Sequence, residues 1–297
     1  MVGGFSSIIF EKMFKTLGKD KAFYDWLVGY TDGDGNFYFA KTKNGVWHFC
    51  FSIAQSTYNL RALYHIKTML AVGSVDLTKA DKHLARYRIR NSKHIYENLI
   101  PIFDEYPLLT KKYFQYLTFR KALEIHLNPT IASQEKNELL LALKTQNFSY
   151  CEISPALQNL ESGKELKEKR EFWLVGFVEA EASFYIVQKD FERMVHAFEI
   201  TQKSNQLLLE KISEIFDINL YYKKRGFWTI VTTKNESIEK VINFFLKKMK
   251  GIKSLEFTIW ARSFRKKDTS FEYLISIQKR MRNIRSIRFG KDFKKVK

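Results

Sequence analysis

The chain predicts an α+β fold laid down twice: two pseudo-symmetric αββαββα domains, each with one four-stranded antiparallel sheet covered by helices on one face. Three observations predict it. First, Trp26-Leu27-Val28-Gly29-Tyr30-Thr31-Asp32-Gly33-Asp34-Gly35 returns as Trp173-Leu174-Val175-Gly176-Phe177-Val178-Glu179-Ala180-Glu181-Ala182, 147 positions downstream. Second, the same succession of hydrophobic periods follows both copies. Third, two further blocks match in the same order. Phe51-Ser52-Ile53-Ala54-Gln55 pairs with Phe198-Glu199-Ile200-Thr201-Gln202 at the same offset, and the segment 107–116 pairs with 248–257, which sets Lys112 opposite Lys253.

Each motif is a short apolar run that reads as a helix. After the first, residues 36–42 alternate aromatic with smaller or polar side chains, and Lys43-Asn44-Gly45 is a hairpin signal leading into a strand at 46–54. Leu60, Leu63, Tyr64, Ile66, Met69 and Leu70 fall at helical spacing, 72–78 and 86–90 read as a second strand pair, and 95–103 as another helix. The second half repeats this with strands at 184–187 and 197–201, a helix at 206–216, strands at 219–222 and 227–232, and a helix at 238–248. Between the halves 133–144 predicts a helix, whereas 146–169 is polar, contains Pro155 and Gly163, and reads as a linker with little structure of its own. The domains are accordingly placed at 21–128 and 170–268, with an N-terminal extension at 1–20, an inter-domain helix and linker at 129–169, and a basic helix and tail at 269–297. In that tail Arg280, Arg282, Arg285, Arg288, Lys294, Lys295 and Lys297 form either a solvated run or a phosphate-contacting extension.

A balance of 50 Lys plus Arg against 32 Asp plus Glu, net +18, points to a polyanionic partner. No run of about eighteen apolar residues is present to suggest a membrane span. Two cysteines, Cys50 and Cys151, exclude a disulfide framework and a Cys-rich zinc site and fit a reducing compartment, and the six histidines show no metal-ligand spacing. Many Phe, Tyr and Lys beside few Gly and Pro is the bias of AT-rich coding, common in organelles, and residues 1–20 make a poor transit peptide.

Each motif carries acids at the C-terminal end of its helix, where the macrodipole and free carbonyls are already negative. A positive group must offset them. Gly29 and Gly33, like Gly176 and Ala180, form a small stripe along one face, which would let two helix backbones come close and bring Asp34 and Glu181 together. Two adjoining carboxylates are the usual protein contribution to a site for a hard divalent cation.

These repeated blocks resemble the LAGLIDADG homing endonucleases in their single-chain, two-motif form, over roughly residues 24–120 and 171–262. The resemblance implies that the motif helices pack at the domain interface, that the two sheets form a DNA-binding saddle, and that the last acid of each motif, Asp34 and Glu181, binds metal. Gln55 and Gln202 are then expected to order the attacking water, and Lys112 and Lys253 to stabilise phosphate charge. Asp32 and Glu179 look like fold-supporting acids. Mg2+ is the expected cofactor, with Mn2+ substituting and Ca2+ binding without supporting cleavage. A monomer without protein partner would cut both strands of a long, asymmetric duplex target across the minor groove, leaving 3′ overhangs. The expected compartment is an organelle, the mitochondrion foremost and the chloroplast as alternative. Two rivals keep the fold: an RNA maturase acting on its host intron, and a catalytically inactive DNA-binding protein. Intact acids in both copies favour the nuclease, because neither rival needs carboxylates that repel phosphate.

Alternation along the strands nominates the side chains that would face DNA: Tyr38, Thr42, Asn44, His48, Ser52, Arg86 and Arg88 in the first half, and Ser183, Tyr185, Lys189, Arg193, Glu199, Lys223, Arg225 and Thr229 in the second. One departure stands out. Gly35 closes the first motif where a left-handed cap is expected, and Ala182 takes that place in the second, which predicts strain and a slower Glu181 half.

Overall fold

The computed structural model describes residues 20–78, 83–145, 153–203 and 205–286. The first half runs α1 (Lys21–Asp34), β1 (Gly35–Lys41), β2 (Trp47–Ser56), α2 (Leu60–Leu70), β3 (Ser74–Leu77), β4 (Leu84–Ile89), α3 (Ser92–Asn98), α4 (Ile100–Glu105) and α5 (Lys112–Leu127). After α6 (Ser133–Thr145), α7 (Pro155–Gln158) and α8 (Gly163–Lys169), the second half runs α9 (Glu171–Glu181), β5 (Ser183–Gln188), β6 (Met194–Lys203), α10 (Gln206–Phe216), β7 (Leu220–Lys223), β8 (Phe227–Thr232), α11 (Asn235–Phe245), α12 (Lys253–Arg265) and α13 (Phe271–Ser286). Both sheets are antiparallel with the same strand order, β1-β2-β4-β3 and β5-β6-β8-β7.

Alternation decides the inner face. Phe37, Phe39, Phe49, Phe51, Ile53, Tyr87 and Ile89 turn toward the helices in the first sheet, as Phe184, Ile186, Phe198, Ile200 and Ile230 do in the second. The two cores are aromatic: Phe37 packs with Phe51, Phe103, Tyr116 and Phe119, and Phe184 with Phe198, Phe257 and Trp260. Tilted and edge-on ring pairs of this kind add to the area they bury.

α1 is buried around its whole circumference from Phe23 to Asp32, because one side lies on its own half and the other against α9. The small stripe is what lets the helices meet. A Cβ built on Gly29 would lie 1.9 Å from the Trp173 carbonyl oxygen, one on Gly176 would lie 2.0 Å from the Trp26 oxygen, and one on Gly33 would lie 2.3 Å from the Ala180 Cβ. Two helical glycines cost about 1 kcal/mol each in propensity, and the close backbone contact offsets this.

Four expectations change. The expected helix at 95–103 is two helices, since Leu99 breaks the run and Pro101, without an N–H, enters the first turn of α4. The 146–169 segment is more ordered than a linker from residue 153 on: Leu157, Leu160 and Leu166 are buried, and the Ser162 hydroxyl caps α8 by accepting from the Glu165 N–H. Arg285 is no tail cation but turns inward, donating to the Phe184 carbonyl at 2.8 Å and pairing with buried Glu256 at 2.7 Å. Finally, Gly35 is not left-handed. It has φ −75° and ψ 156°, and Ala182 has φ −80° and ψ 157°, so both motifs pass straight into a strand without strain. Glycine serves at 35 because a Cβ there would lie 2.3 Å from Thr31 Cγ2. Cys151, Arg288, Lys294, Lys295 and Lys297, and residues 1–19, lie outside the described residues.

Candidate active site at the helix interface

The site is built from two helix ends, and their junction is latched in a crossed pattern. The Trp26 indole N–H donates to Glu179 at 2.6 Å, and the Trp173 indole N–H donates to Asp32 at 2.7 Å. Asp32 also accepts from the Leu109 and Thr110 N–H groups and the Thr110 hydroxyl, and Glu179 from the Lys250 and Gly251 N–H groups. Burial pushes both carboxyls up, and these hydrogen bonds oppose it by favouring the charged form. Asp32 and Glu179 therefore hold the segments that lead into α5 and α12, whose first residues are Lys112 and Lys253. Asp25 adds a third latch: its carboxylate accepts from the Trp173 N–H at 2.8 Å and pairs with Arg170 at 2.7 Å, fixing the start of α9 to α1.

With the helices so locked, Asp34 and Glu181 come together. The Glu181 carboxylate lies against Gly33, an oxygen 3.3 Å from where a Cβ would sit, and each acid feels the two lysines. Burial holds both carboxyls above their ordinary range, and the Asp34 charge pushes Glu181 further up, while Lys112 and Lys253 oppose the rise. The lysines answer the electrostatic problem posed by the sequence. Lys112 Nζ donates to the Thr31 carbonyl at 3.1 Å and to the Gly33 carbonyl, and Lys253 Nζ to the Ala182 carbonyl at 2.6 Å and the Ala180 carbonyl at 3.5 Å. Each ammonium thus sits at a negative helix end. Burial depresses both amines, and the neighbouring carboxylates counteract it.

Gln55 and Gln202 lie on the inner face of β2 and β6, at the strand ends nearest the site. The Gln55 amide donates to Asp34, and Gln202 bonds Glu181 in the same way. Sequence reasoning missed what sets them. Buried Asn59 donates to Gln55 Oε1 at 2.8 Å and to the Tyr30 hydroxyl at 3.0 Å, and accepts from the Ile252 N–H at 2.9 Å, tying the first half's glutamine to the start of α12. In the second half Asn205 donates to Gln202 Oε1 at 3.0 Å. An asparagine shortly after each glutamine was the available signal, but the two do not align in the repeat.

Among the described residues no three or more His, Cys, Asp or Glu side chains converge as a metal cage. The donor set still fits a hard divalent cation: two carboxylates side by side, with water and substrate phosphate completing the shell, is how Mg2+ is usually held.

On the outer sheet faces the register puts Tyr38, His48, Ser52, Arg86 and Arg88 on one side of the first sheet, and Ser183, Tyr185, Glu199, Thr229 and Lys223 on one side of the second. The remaining nominees are turn residues, not strand residues: Thr42 and Asn44 in the β1–β2 turn, Lys189 and Arg193 closing the β5–β6 turn, and Arg225, with φ 74°, in the β7–β8 turn. Asn36, Thr201 and Tyr221 share the outer faces, and Arg90 follows β4 on the same side; none of them is among the predicted DNA-facing residues, although each falls within a predicted strand.

The LAGLIDADG endonuclease family model matches residues 27–123 and 174–264, the two motif halves. A probable intron-encoded endonuclease, Cox1-I1b of Schizosaccharomyces pombe, is 39% identical over 277 residues, covering 89% of this chain and 70% of that protein. The uncharacterized mitochondrial protein RF1 of Saccharomyces cerevisiae is 29% identical, over 66% of this chain and 39% of its own length. Among solved structures, I-SmaMI bound to uncleaved DNA target in the presence of calcium ions superposes with a TM-score of 0.68 at 24% identity, covering 88% of this chain and 97% of that one. Repeated motif, matched halves and extensive identity to such a relative agree: the chain belongs to the LAGLIDADG endonuclease family.

Proposed function

We propose that this protein is a site-specific, double-strand DNA endonuclease of the homing type, acting as a monomer in an organelle, the mitochondrion foremost. The observation that carries the reading is the meeting of Asp34 and Glu181 at the joint between two sheets, each beside a glutamine and a lysine. The relatives' names, intron-encoded and mitochondrial, supply the support for homing and location.

Asp34 and Glu181 would hold the divalent cation, Mg2+ or Mn2+, which when bound lowers the pKa of water and neutralises phosphate charge. The rest falls to this chain's own groups. Gln55, its amide oriented by Asn59, and Gln202, oriented by Asn205, offer polar atoms beside the carboxylates that can orient an attacking water on either strand. Lys112 and Lys253 supply preorganised positive charge where the phosphorane's charge develops, in a partly desolvated setting where that charge counts for more than in water. One set per half means one set per strand, and cleavage across the minor groove would leave 3′ overhangs. Ca2+ is expected to bind without supporting cleavage, in keeping with the uncleaved I-SmaMI complex. A maturase or an inactive DNA binder would gain nothing from two converging carboxylates that repel phosphate.

The test is Asp34→Asn and Glu181→Gln. Each should keep duplex binding, since the sheets are untouched, and lose double-strand cleavage. Parental cleavage of both strands by either variant would sink the shared site.

A further inference from the structure

The outer faces of the two sheets can be compared position by position, because the repeat fixes β2 against β6 and the pairing registers do the rest. Ser52 pairs with Arg88 where Glu199 pairs with Val231, and Ala54 pairs with Arg86 where Thr201 pairs with Thr229. One step further along the same face, Arg90 follows β4 where Thr233 follows β8. A row of three guanidiniums in one half is thus a row of threonine, valine and threonine in the other. The contrast continues across the sheet: Val187 pairs with Val195 in the second half, where Ala40 pairs with His48 in the first.

The arginines are presented in a way that suits reading and not just attraction. Arg86 and Arg90 are exposed. Arg88 is braced by Asp76 at 2.8 Å, itself accepting from Ser74 at 2.8 Å. A guanidinium fixed before binding loses less rotamer freedom on contact. In the second sheet the acid Glu199 accepts from Tyr185, Thr201 and Lys223, so Lys223 is engaged there too. The middle of that face is left with hydroxyls and branched apolar groups.

Resting on the reading above of a duplex-DNA endonuclease, we propose that the two halves recognise chemically different half-sites. The first sheet selects guanines through Arg86, Arg88 and Arg90, and the second selects A·T pairs by contact of Val231, Val187 and Val195 with thymine methyls. Guanine offers O6 and N7 to one guanidinium as a matched pair of acceptors, whereas an isopropyl group in the major groove favours the C5-methyl of thymine. Charges that touched only phosphate would strengthen binding to every sequence alike, and their loss would weaken all sequences uniformly.

A binding selection from a randomised duplex library tests this with the full chain and with Arg86→Gln, Arg88→Gln and Val231→Ala. The parent should enrich guanine in one half-site only. Each arginine variant should relax the preference by about 5- to 150-fold at one or two base pairs of that half and leave the other half unchanged. Replacing thymidine by deoxyuridine in the enriched site should weaken binding only in the opposite half, where Val231→Ala should make that replacement matter less. Guanine enriched equally in both halves, or arginine variants that weaken all sequences uniformly, would overturn the proposal. Failure of the parent to enrich any duplex would instead overturn the proposed function itself.

Discussion

The two halves of this molecule agree where chemistry needs a thing twice and differ where the surroundings do not. Their sheets have one strand order, their motif helices interlock through reciprocal glycines, and their penultimate acids take the same crossed indole bonds. Yet the lysines grip different turns. Lys112 takes the carbonyls of residues 31 and 33, while Lys253 takes those of 180 and 182, which correspond to 33 and 35. Asn59 ties the first glutamine to the opposite half, whereas Asn205 stays within its own. The outer faces share almost nothing. Duplication therefore preserves the interface and the positions of charge, and leaves second contacts and surfaces free to drift.

The largest effect that could break this comparison is on strand cleavage. If each lysine serves one strand, Lys112→Met and Lys253→Met should each slow a different strand by roughly 2.7 to 4 kcal/mol, the usual worth of one preorganised charge near a transition state. Each variant would nick. Because Gly35 and Ala182 have the same extended backbone, the expected slowness of the Glu181 half loses its basis, and the helix exits give no reason for unequal strands. Strand-resolved gels decide the matter, and equal slowing of both strands by each variant would show the lysines to act jointly.

Next comes the interface that makes the halves equivalent. Gly29→Ala and Gly176→Ala each place a methyl about 2 Å from a backbone oxygen of the opposing helix, so neither contact can relax by side-chain rotation. Overpacking against backbone at this distance belongs at or above the upper end of the usual range of about 1–3 kcal/mol, so the roughly 1 kcal/mol of helix propensity gained does not offset it. Denaturant midpoints should fall by similar amounts for both. A loss confined to one glycine would show that the helices are less symmetric than their carbonyl contacts.

Much of this architecture was legible beforehand, and the reasons are local. Helices 60–70 and 206–216 and strand 227–232 emerged with their predicted bounds, since their amphipathic period is strong and their ends are marked. The third repeated block set Lys112 opposite Lys253, and both are the first residue of a helix. What escaped detection depends on tertiary contact. The crossed indole bonds, the grip of each ammonium on helix-end carbonyls and the reach of Asn59 to Ile252 join residues remote in sequence, and no periodicity encodes them. The inward turn of Arg285 was hidden for the same reason, as its partner Glu256 lies 29 positions away in the sequence. The glycine at 35 misled because its use is steric, not conformational.

The smallest predicted effect is a pH response belonging to one half. His196 occupies the place that Phe49 holds in the first half, lies buried among Trp260 and Phe264, and shares a hydrogen bond with the Ser263 hydroxyl at 2.7 Å. Burial pushes its pKa down to about 4 from the ordinary 6.5. Because the folded value lies below the unfolded one, folding favours the neutral ring. The stability this confers is complete above the unfolded pKa and is lost as pH falls from there toward 4. Between pH 7 and 5 the loss should be about 2 kcal/mol from this residue. His65 and His126 in the first half are also depressed by burial, so acid sensitivity as a whole is not unique to either half. The discriminating variant is His196→Phe, which copies the first half's choice. The quantity to read is its change in unfolding free energy from pH 7 to 5, which is independent of any packing difference between the rings. That change should be smaller than the parent's by about 2 kcal/mol. An unaltered pH dependence would mean that His196 accepts a proton without cost in the folded protein, and that the second core is more open to water around Ser263 than its packing implies.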